Sequence, residues 1–343
     1  MVQTCVYPGR IVAALAVALD DENPTMSSVD NSKIAGVVVT YHPAAAVAEN
    51  LQTMVRECGC VLVVDNGSGA EVCSRLAAIP GVEMMALGEN LGVAAALNRG
   101  ADWAQKRGCG WLVTFDQDSR PADGMLDALW ARHRQLPKAA VIGPKIEEPD
   151  TAGSSYRWVR RNPRWPALFQ RACDEPALEA VTMVITSGSL IQLSVWNEVG
   201  RFDEALFIDY VDIDYCLRVI RAGHSVAVAP AAVLEHHLGN RQRLVKFGRD
   251  FRPMNHPAFR HYFIARNRVR VWRRHALAIP HWAVFDLCFA LYNAMRVVAF
   301  ETEKLAKFRA LLLGTWDGFA GQSGPYPPHR PPPAANSGGG LAT

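Results

Sequence analysis

From Ile34 onward, short apolar runs rich in β-branched residues alternate with segments whose apolar positions recur at helical spacing. Ile34 to Thr40 is an unbroken apolar run, the pattern of a strand covered on both faces. His42-Pro43 closes it, and Ala44 to Cys58 has the helical period. Val61 to Val64 predicts the second strand, closed by the turn residues Asp65-Asn66-Gly67-Ser68-Gly69. Val82 to Leu87 predicts a third strand, Ala94 to Lys106 a helix, and Trp111 to Phe115 a fourth strand that runs into Asp116-Gln117-Asp118. This β-α-β-α-β order implies an α/β fold with a doubly wound, mostly parallel sheet. Ligands of such sheets sit beyond the carboxyl ends of strands, where Asp65 and Asp116 to Asp118 fall.

The second half is more mixed. Met183 to Leu193 predicts a strand interrupted by Ser187-Gly188-Ser189, Val195 to Val199 a short helix, Val211 to Ala222 a helix that starts among acidic residues, and Val226 to Leu234 a strand leading to His236-His237. Phe259 to Arg274 is an arginine-rich amphipathic helix. Trp282 to Phe300 is strongly apolar but holds Asp286, Asn293 and Arg296, and a charged helix is expected over Glu301 to Leu313. The pattern divides the chain into an extension at 1–33, expected to be poorly ordered, a catalytic domain at 34–252, a helical segment at 253–321, and a disordered Pro/Gly/Ser-rich tail at 322–343. The run Ile11 to Leu19 is too short to span a bilayer, and translation starting at Met26 is an alternative origin for the extension.

Composition narrows the function classes. A net charge of +3 with no concentrated basic stripe argues against a nucleic-acid partner. The eight cysteines form no C-x-x-C pair and are expected to be small buried hydrophobes in a reducing compartment. No G-x-G-x-x-G follows the first strand, which argues against a dinucleotide-dependent dehydrogenase. A non-catalytic nucleotide-binding protein is the alternative from another class.

Four clusters carry candidate chemistry. Asp116 and Asp118, one residue apart at a strand end, supply the oxygen ligands that a hard divalent cation with a bound diphosphate requires. Asp65-Asn66 ends a second strand, where a carboxylate can receive a nucleobase or ribose or merely close an Asx turn. Asn90-Leu91-Gly92 precedes a helix whose first amides can take a phosphate, and Gly92 can equally be needed for its backbone conformation. The densest cluster is Phe207 to Asp214, where Ile208, Val211 and Ile213 lie among Asp209, Asp212 and Asp214. A partly buried carboxylate beside other acids suits a general base toward a sugar hydroxyl. His236 can supply a nitrogen ligand to the same cation.

In order, Val37 to Tyr41, Val64-Asp65-Asn66, Asn90-Leu91-Gly92 with Asn98 and Gly100, Asp116-Gln117-Asp118, Ser187-Gly188, Gly200 to Glu204, and Asp212-Ile213-Asp214 with Arg218 resemble the family-two inverting glycosyltransferases over about residues 34–240. Phe115 to Ser119 and Phe207 to Asp212 resemble the rhamnosyltransferase branch. Met254-Asn255-His256, Arg266-Asn267, Glu303-Lys304-Leu305 and Trp316-Asp317-Gly318 resemble the members that add a second rhamnose to a mono-rhamnolipid, giving di-rhamnolipid.

The resemblance implies a GT-A fold with a C-terminal helical extension and transfer from dTDP-L-rhamnose to a glycolipid acceptor. It assigns Asp65, Asn66, Asn90, Gly92, Asp116, Ser187, Gly188 and Arg218 to the nucleotide sugar, and Asp116, Asp118 and His236 to Mg²⁺ or Mn²⁺. In most relatives the acidic motif reads Glu-Asp; here Val211 replaces the Glu, so Asp212 is the expected base with Asp209 and Asp214 as alternates. The absence of Q-x-x-R-W, the signature of processive synthases, implies a single transfer. An O-antigen or capsule rhamnosyltransferase acting on a polyprenyl-diphosphate glycan is the alternative within the family. A lipid acceptor implies a peripheral enzyme at the cytoplasmic face of the inner membrane, with 253–321 on the lipid surface and Arg270, Arg273 and Arg274 toward anionic headgroups.

Overall fold

A computed structural model describes residues 34–147, 180–236 and 255–326, together with short strands at 158–159, 172–173, 244–246 and 249–251. The 1–33 extension, His237, the 252/253 boundary and the tail beyond 326 lie outside the described residues.

Strands β1 (Ile34–Thr40), β2 (Val61–Asp65), β3 (Val82–Ala86) and β4 (Trp111–Asp116) are mutually parallel in the order β3-β2-β1-β4. Helices α1 (Val47–Cys58), α2 (Ala70–Ala77) and α3 (Val93–Lys106) connect them. After β4 come β5 (Ser119–Pro121), α4 (Met125–Gln135), β6 (Ala139–Glu147) and a small ribbon of β7 (Trp158–Val159) and β8 (Ala172–Cys173). Next are β9 (Leu190–Gln192), α5 (Leu193–Val199), α6 (Val211–Arg221) and β10 (Ser225–His236). The sheet order is β3-β2-β1-β4-β9-β6-β10-β5, with only β9 and β5 antiparallel to their neighbours. The carboxyl ends of β1, β2, β4 and β10 therefore share one edge.

The pleat of β1 sends Ile34 and Val38 to one face, and Ala35, Val37 and Val39 to the other. The first pair packs with Leu51, Met54, Leu76 and Leu129 of α1, α2 and α4. The second set packs with Ala94 and Leu97 of α3, Tyr215 of α6, and residues of two later helices, Val271 and Trp282. Burial on both faces is why the strand reads as a continuous apolar run.

A second small ribbon, β11 (Leu244–Lys246) with β12 (Arg249–Phe251), precedes α7 (Ala258–His275), α8 (Pro280–Phe300) and α9 (Lys304–Phe319). Glycines on α9 bring it against α7: a Cβ at Gly314 would stand 2.2 Å from the Tyr262 carbonyl oxygen. The expected helix over 301–313 instead starts at Lys304. Glu301 is extended because its buried carboxylate accepts from Lys307 at 2.8 Å, in a pocket closed by Asn255. Residues 324 and 326, which the sequence pattern places in the tail, are packed. The amide of Gly324 donates to Ala205, Arg266 donates to the Gly324 carbonyl, and the Tyr326 ring packs 4.7 Å from Tyr262.

Helix α8 is long and apolar enough to cross a membrane, with a mean hydropathy of 1.5, yet only 17% of that stretch is buried. Its inward residues include Trp282, Ala283, Asp286 and Val297. Leu291, Tyr292, Met295 and Val298 face outward, as do Leu305, Phe308, Leu312 and Trp316 of α9.

Candidate active site

The fourth strand delivers Asp116, and the two-residue step to β5 brings Asp118 back beside it. Gln117 between them is buried and acts as a brace: its Oε1 accepts from the Tyr41 amide at 2.8 Å, and its Nε2 donates to the Tyr41 carbonyl at 3.3 Å. The long strand β10 ends on His236, paired with Ser119 of β5. One ligand atom each from Asp116, Asp118 and His236 lies within 4.8 Å of the others, the set expected from the sequence.

These residues fit a divalent cation. Asp118 Oδ1 is buried and accepts no hydrogen bond, a position that a metal–oxygen bond would satisfy. His236 Nδ1 lies 2.9 Å from Ser119 Oγ and 3.4 Å from Asp118 Oδ1, and Nε2 lies 3.9 Å from Asp116 Oδ2, so each ring nitrogen faces one of the carboxylates. The Ser119 hydroxyl in turn contacts Ser187 Oγ at 2.5 Å, and Ser187 Oγ accepts from the Asp116 amide. Ser187 is thus a buried orienting group behind the ligands. Gly188 is wedged against Pro144 and Leu234, where a Cβ would lie 2.6 Å from Pro144 Cγ.

Burial, and then the charges of Asp118 and Asp212, push Asp116 well above the usual carboxylate range. Asp212, in the first turn of α6, is raised to about 6 by burial, with the charge of Asp209 adding to it. The two alternates differ. Asp209 is held by Arg260 at 2.6 Å. Asp214 is fully buried and points the other way, accepting from Arg218, Arg274 and His275. Burial would raise Asp214, but the His275 hydrogen bond and the two guanidinium groups outweigh it and hold it at about 2. A carboxylate so fully paired is a poor proton acceptor.

Other expected positions serve the frame of the site. Asp65 spends both oxygens on Thr40, Gly67 and Ser68, and those hydrogen bonds overcome burial to keep its pKa low. Asn66 is buried beside it, with Nδ2 on Gly92 and Oδ1 lacking a partner. Asn90 caps the Gly92 amide, and the Val93 amide at the start of α3 donates to the Phe207 carbonyl of the acidic loop. Gly92 fits there because φ is 90° and a Cβ would stand 2.6 Å from the Phe207 oxygen. Arg218 spreads its guanidinium over Asp214 and the carbonyls of Val199, Gly200 and Arg201.

Two residues of the site were not singled out as site residues in the sequence. Arg260 of α7 is half-buried, and the charges of Asp209, Asp116 and Asp118 outweigh its desolvation and raise its pKa. His256 is held neutral at about 3 by burial and then by Arg260. The arginine-rich period of α7 was the available signal, but it reads equally as a lipid-facing stripe. That assignment is corrected for Arg270 and Arg274: Arg270 pairs with Asp203 at 3.0 Å, and Arg274 pairs with Asp203 and Asp214. Arg273 remains exposed.

Residues 37–200 match the family described as Glycosyl transferase family 2. The chain is a glycosyltransferase with a GT-A-like fold: a mostly parallel sheet that gathers two carboxylates and a histidine at one edge, followed by C-terminal helices. It is similar to the dTDP-rhamnosyl transferase RfbF of Shigella flexneri, 29% identical over 86% of this chain and 98% of that protein. It is also similar to the N-acetylglucosaminyl-diphospho-decaprenol L-rhamnosyltransferase of Mycobacterium tuberculosis, 28% identical over 69% of this chain and 85% of the relative. Among solved structures, S. aureus TarS 1–349 superposes with a TM-score of 0.46 at 12% identity, covering 84% of this chain and 72% of TarS.

Proposed function

We propose that the chain transfers L-rhamnose from dTDP-L-rhamnose to a lipid-borne acceptor, once per encounter and with inversion. The observation that carries this reading is the gathering of Asp116, Asp118 and His236 at the sheet edge, with the charge of Asp212 acting on Asp116. The similarity to rhamnosyltransferases over most of the chain supports rhamnose as the sugar and dTDP as its carrier.

A Mg²⁺ or Mn²⁺ held by Asp116, Asp118 and His236 would neutralise charge that develops on the dTDP leaving group. Asp212 takes the proton from the acceptor hydroxyl as that oxygen bonds to the anomeric carbon and the bond to the diphosphate breaks. Arg260 adds positive charge on the same side of the site. Raising Asp212 to about 6 suits the base role, because a carboxylate of ordinary acidity would hold the proton too weakly.

Mono-rhamnolipid is the acceptor that the motifs after residue 253 favour. Several of those residues serve helix packing: Asp317 accepts from Tyr262 at 2.8 Å, and Gly318 lies against the Arg266 carbonyl. A second reading, a polyprenyl-diphosphate glycan as acceptor, is favoured by the decaprenol-linked substrate named for the mycobacterial relative. Either acceptor suits an enzyme peripheral to the cytoplasmic face of the inner membrane, with the outward faces of α8 and α9 on the lipid. Purified protein given dTDP-L-rhamnose, Mg²⁺ and each acceptor in turn, with products read by mass spectrometry, tests both. Formation of neither di-rhamnolipid nor a rhamnosylated polyprenyl glycan would overturn the reading.

A further inference from the structure

The loop that carries the chain into α6 holds Phe207, Asp209 and Tyr210 at φ of 66°, 60° and 66°. Three non-glycine residues within four positions in the left-handed region do not persist unless their surroundings impose that shape. Left-handed turns also point successive carbonyls to one side, where no helix or sheet ladder receives them. Here they converge on Asn267 of α7. Its side-chain Nδ2 donates to the carbonyls of Leu206 at 2.8 Å, Ile208 at 2.7 Å and Asp209 at 3.0 Å. Its Oδ1 accepts from Arg266 Nε at 3.0 Å, which fixes which end of the amide faces the loop. Asn267 is 1% exposed, so no water substitutes for it from bulk. At the far side of the same loop, Tyr210 donates its hydroxyl to Asp286 of α8 at 2.6 Å.

We infer that Asn267 is a positioning residue for the catalytic base: its amide gathers three carbonyls of the 206–209 turn and so sets where Asp212 stands, with the Tyr210–Asp286 bond as the second fixed point. Both anchors lie beyond residues 37–200, the stretch matched to the family. A side chain of this length with two N–H groups is required. Leucine would remove this donor from the Ile208 and Asp209 carbonyls, leaving Leu206 held by the Ile208 amide and Arg266, and aspartate would set a carboxylate against the turn. The proposal rests on Asp212 as base.

The test compares Asn267→Asp, Asn267→Leu, Tyr210→Phe and the Asn267→Asp/Tyr210→Phe double variant, each as the full chain, with the folded fraction measured by circular dichroism. For folded protein, kcat should fall by about tenfold or more in the Asn267 variants while the donor KM stays within about twofold, because only alignment of the base is lost. Tyr210→Phe should lower kcat less. The double variant should lose little beyond the worse single variant, since both act through one loop. Unchanged kcat in folded Asn267→Asp overturns the proposal, as do equal changes in kcat and donor KM, or independent, additive losses. Asp212→Asn run alongside separates the two levels: an active Asp212→Asn sinks the base assignment itself, whereas inactive Asp212→Asn with unaffected Asn267 variants sinks only the positioning role.

Discussion

His236 stands with Nε2 3.9 Å from Asp116 Oδ2 and its other ring nitrogen turned to the Ser119 hydroxyl. The Ser119 hydroxyl would steady the His236 ring for a cation bound by Asp116 and Asp118, and this makes two residues separable by experiment. Asp118→Ala is expected to abolish nearly all transfer and metal-dependent donor binding with the fold intact, because the carboxylate lies at the sheet edge outside the core. Ser119→Ala, which keeps all three ligands, should weaken apparent metal affinity by roughly 10–100-fold and leave kcat at saturating metal largely restored. Titration of activity with Mn²⁺ checks both. Wild-type activity in Asp118→Ala would exclude this metal site.

Asp212→Asn should bind donor and metal nearly as well as the wild type and lose about two to four orders of magnitude in turnover, since the amide keeps the shape but accepts no proton. In the wild type, kcat should rise with pH through about 6, where Asp212 ionises. Isothermal titration with dTDP and a pH profile are the measurements. An active Asp212→Asn beside an inactive Asp209→Asn would move the base to Asp209.

Asp214 bears on stability. Its folded pKa of about 2 lies below the ordinary value of 3.8, so it contributes stability above pH 3.8 that is lost as pH falls toward 2. The contribution at neutral pH is about 2 kcal/mol. Asp214→Asn should lower the melting temperature at pH 7 and flatten the acid side of the stability curve. A melting temperature equal to that of the wild type at pH 7 would refute the assignment.

The outward faces of α8 and α9 predict binding to anionic vesicles. Leu291, Met295 and Val298 are 58%, 63% and 61% exposed, and Trp316 is 70% exposed. Exposed Lys304 and Arg309 lie beside these faces. The full chain should float with anionic liposomes at low salt and less at high salt. The variant Leu291→Asn/Met295→Gln/Val298→Asn should remain in the soluble fraction while still turning over a short-chain acceptor. A wild type that stays soluble at low salt removes the membrane-surface reading.

The sheet and the pair Asp116 and Asp118 at its edge were legible because each rests on a local pattern. The first strand, Ile34–Thr40, is a β-branched run buried on both sides, and Asp116 and Asp118 follow such a run directly. Strand β6 was not read, since Gly143-Pro144 sits inside it and looks like a turn. It survives because Pro144 falls next to a register shift in β10, where the regular ladder is already interrupted. The partners of Arg270 and Arg274 were illegible for another reason. Which carboxylate an arginine meets depends on helices about 60 residues apart packing together, as Arg274 does on Asp214. Sequence spacing shows that a helix has a basic face and says nothing of what faces it.

Asp286 is the one acidic residue of α8, and its two oxygens accept from Tyr210, Arg268 and Trp272. The helix with the exposed apolar outer surface thus braces the 206–210 turn with its inner one. Acceptor range in such an enzyme cannot be re-engineered by exchanging C-terminal helices as interchangeable cassettes. A graft that brings new lipid-facing residues without Asn267 and Asp286 in register would carry a new address to an unaligned base, and productive chimeras should inherit α7, α8 and the 206–210 turn from one parent.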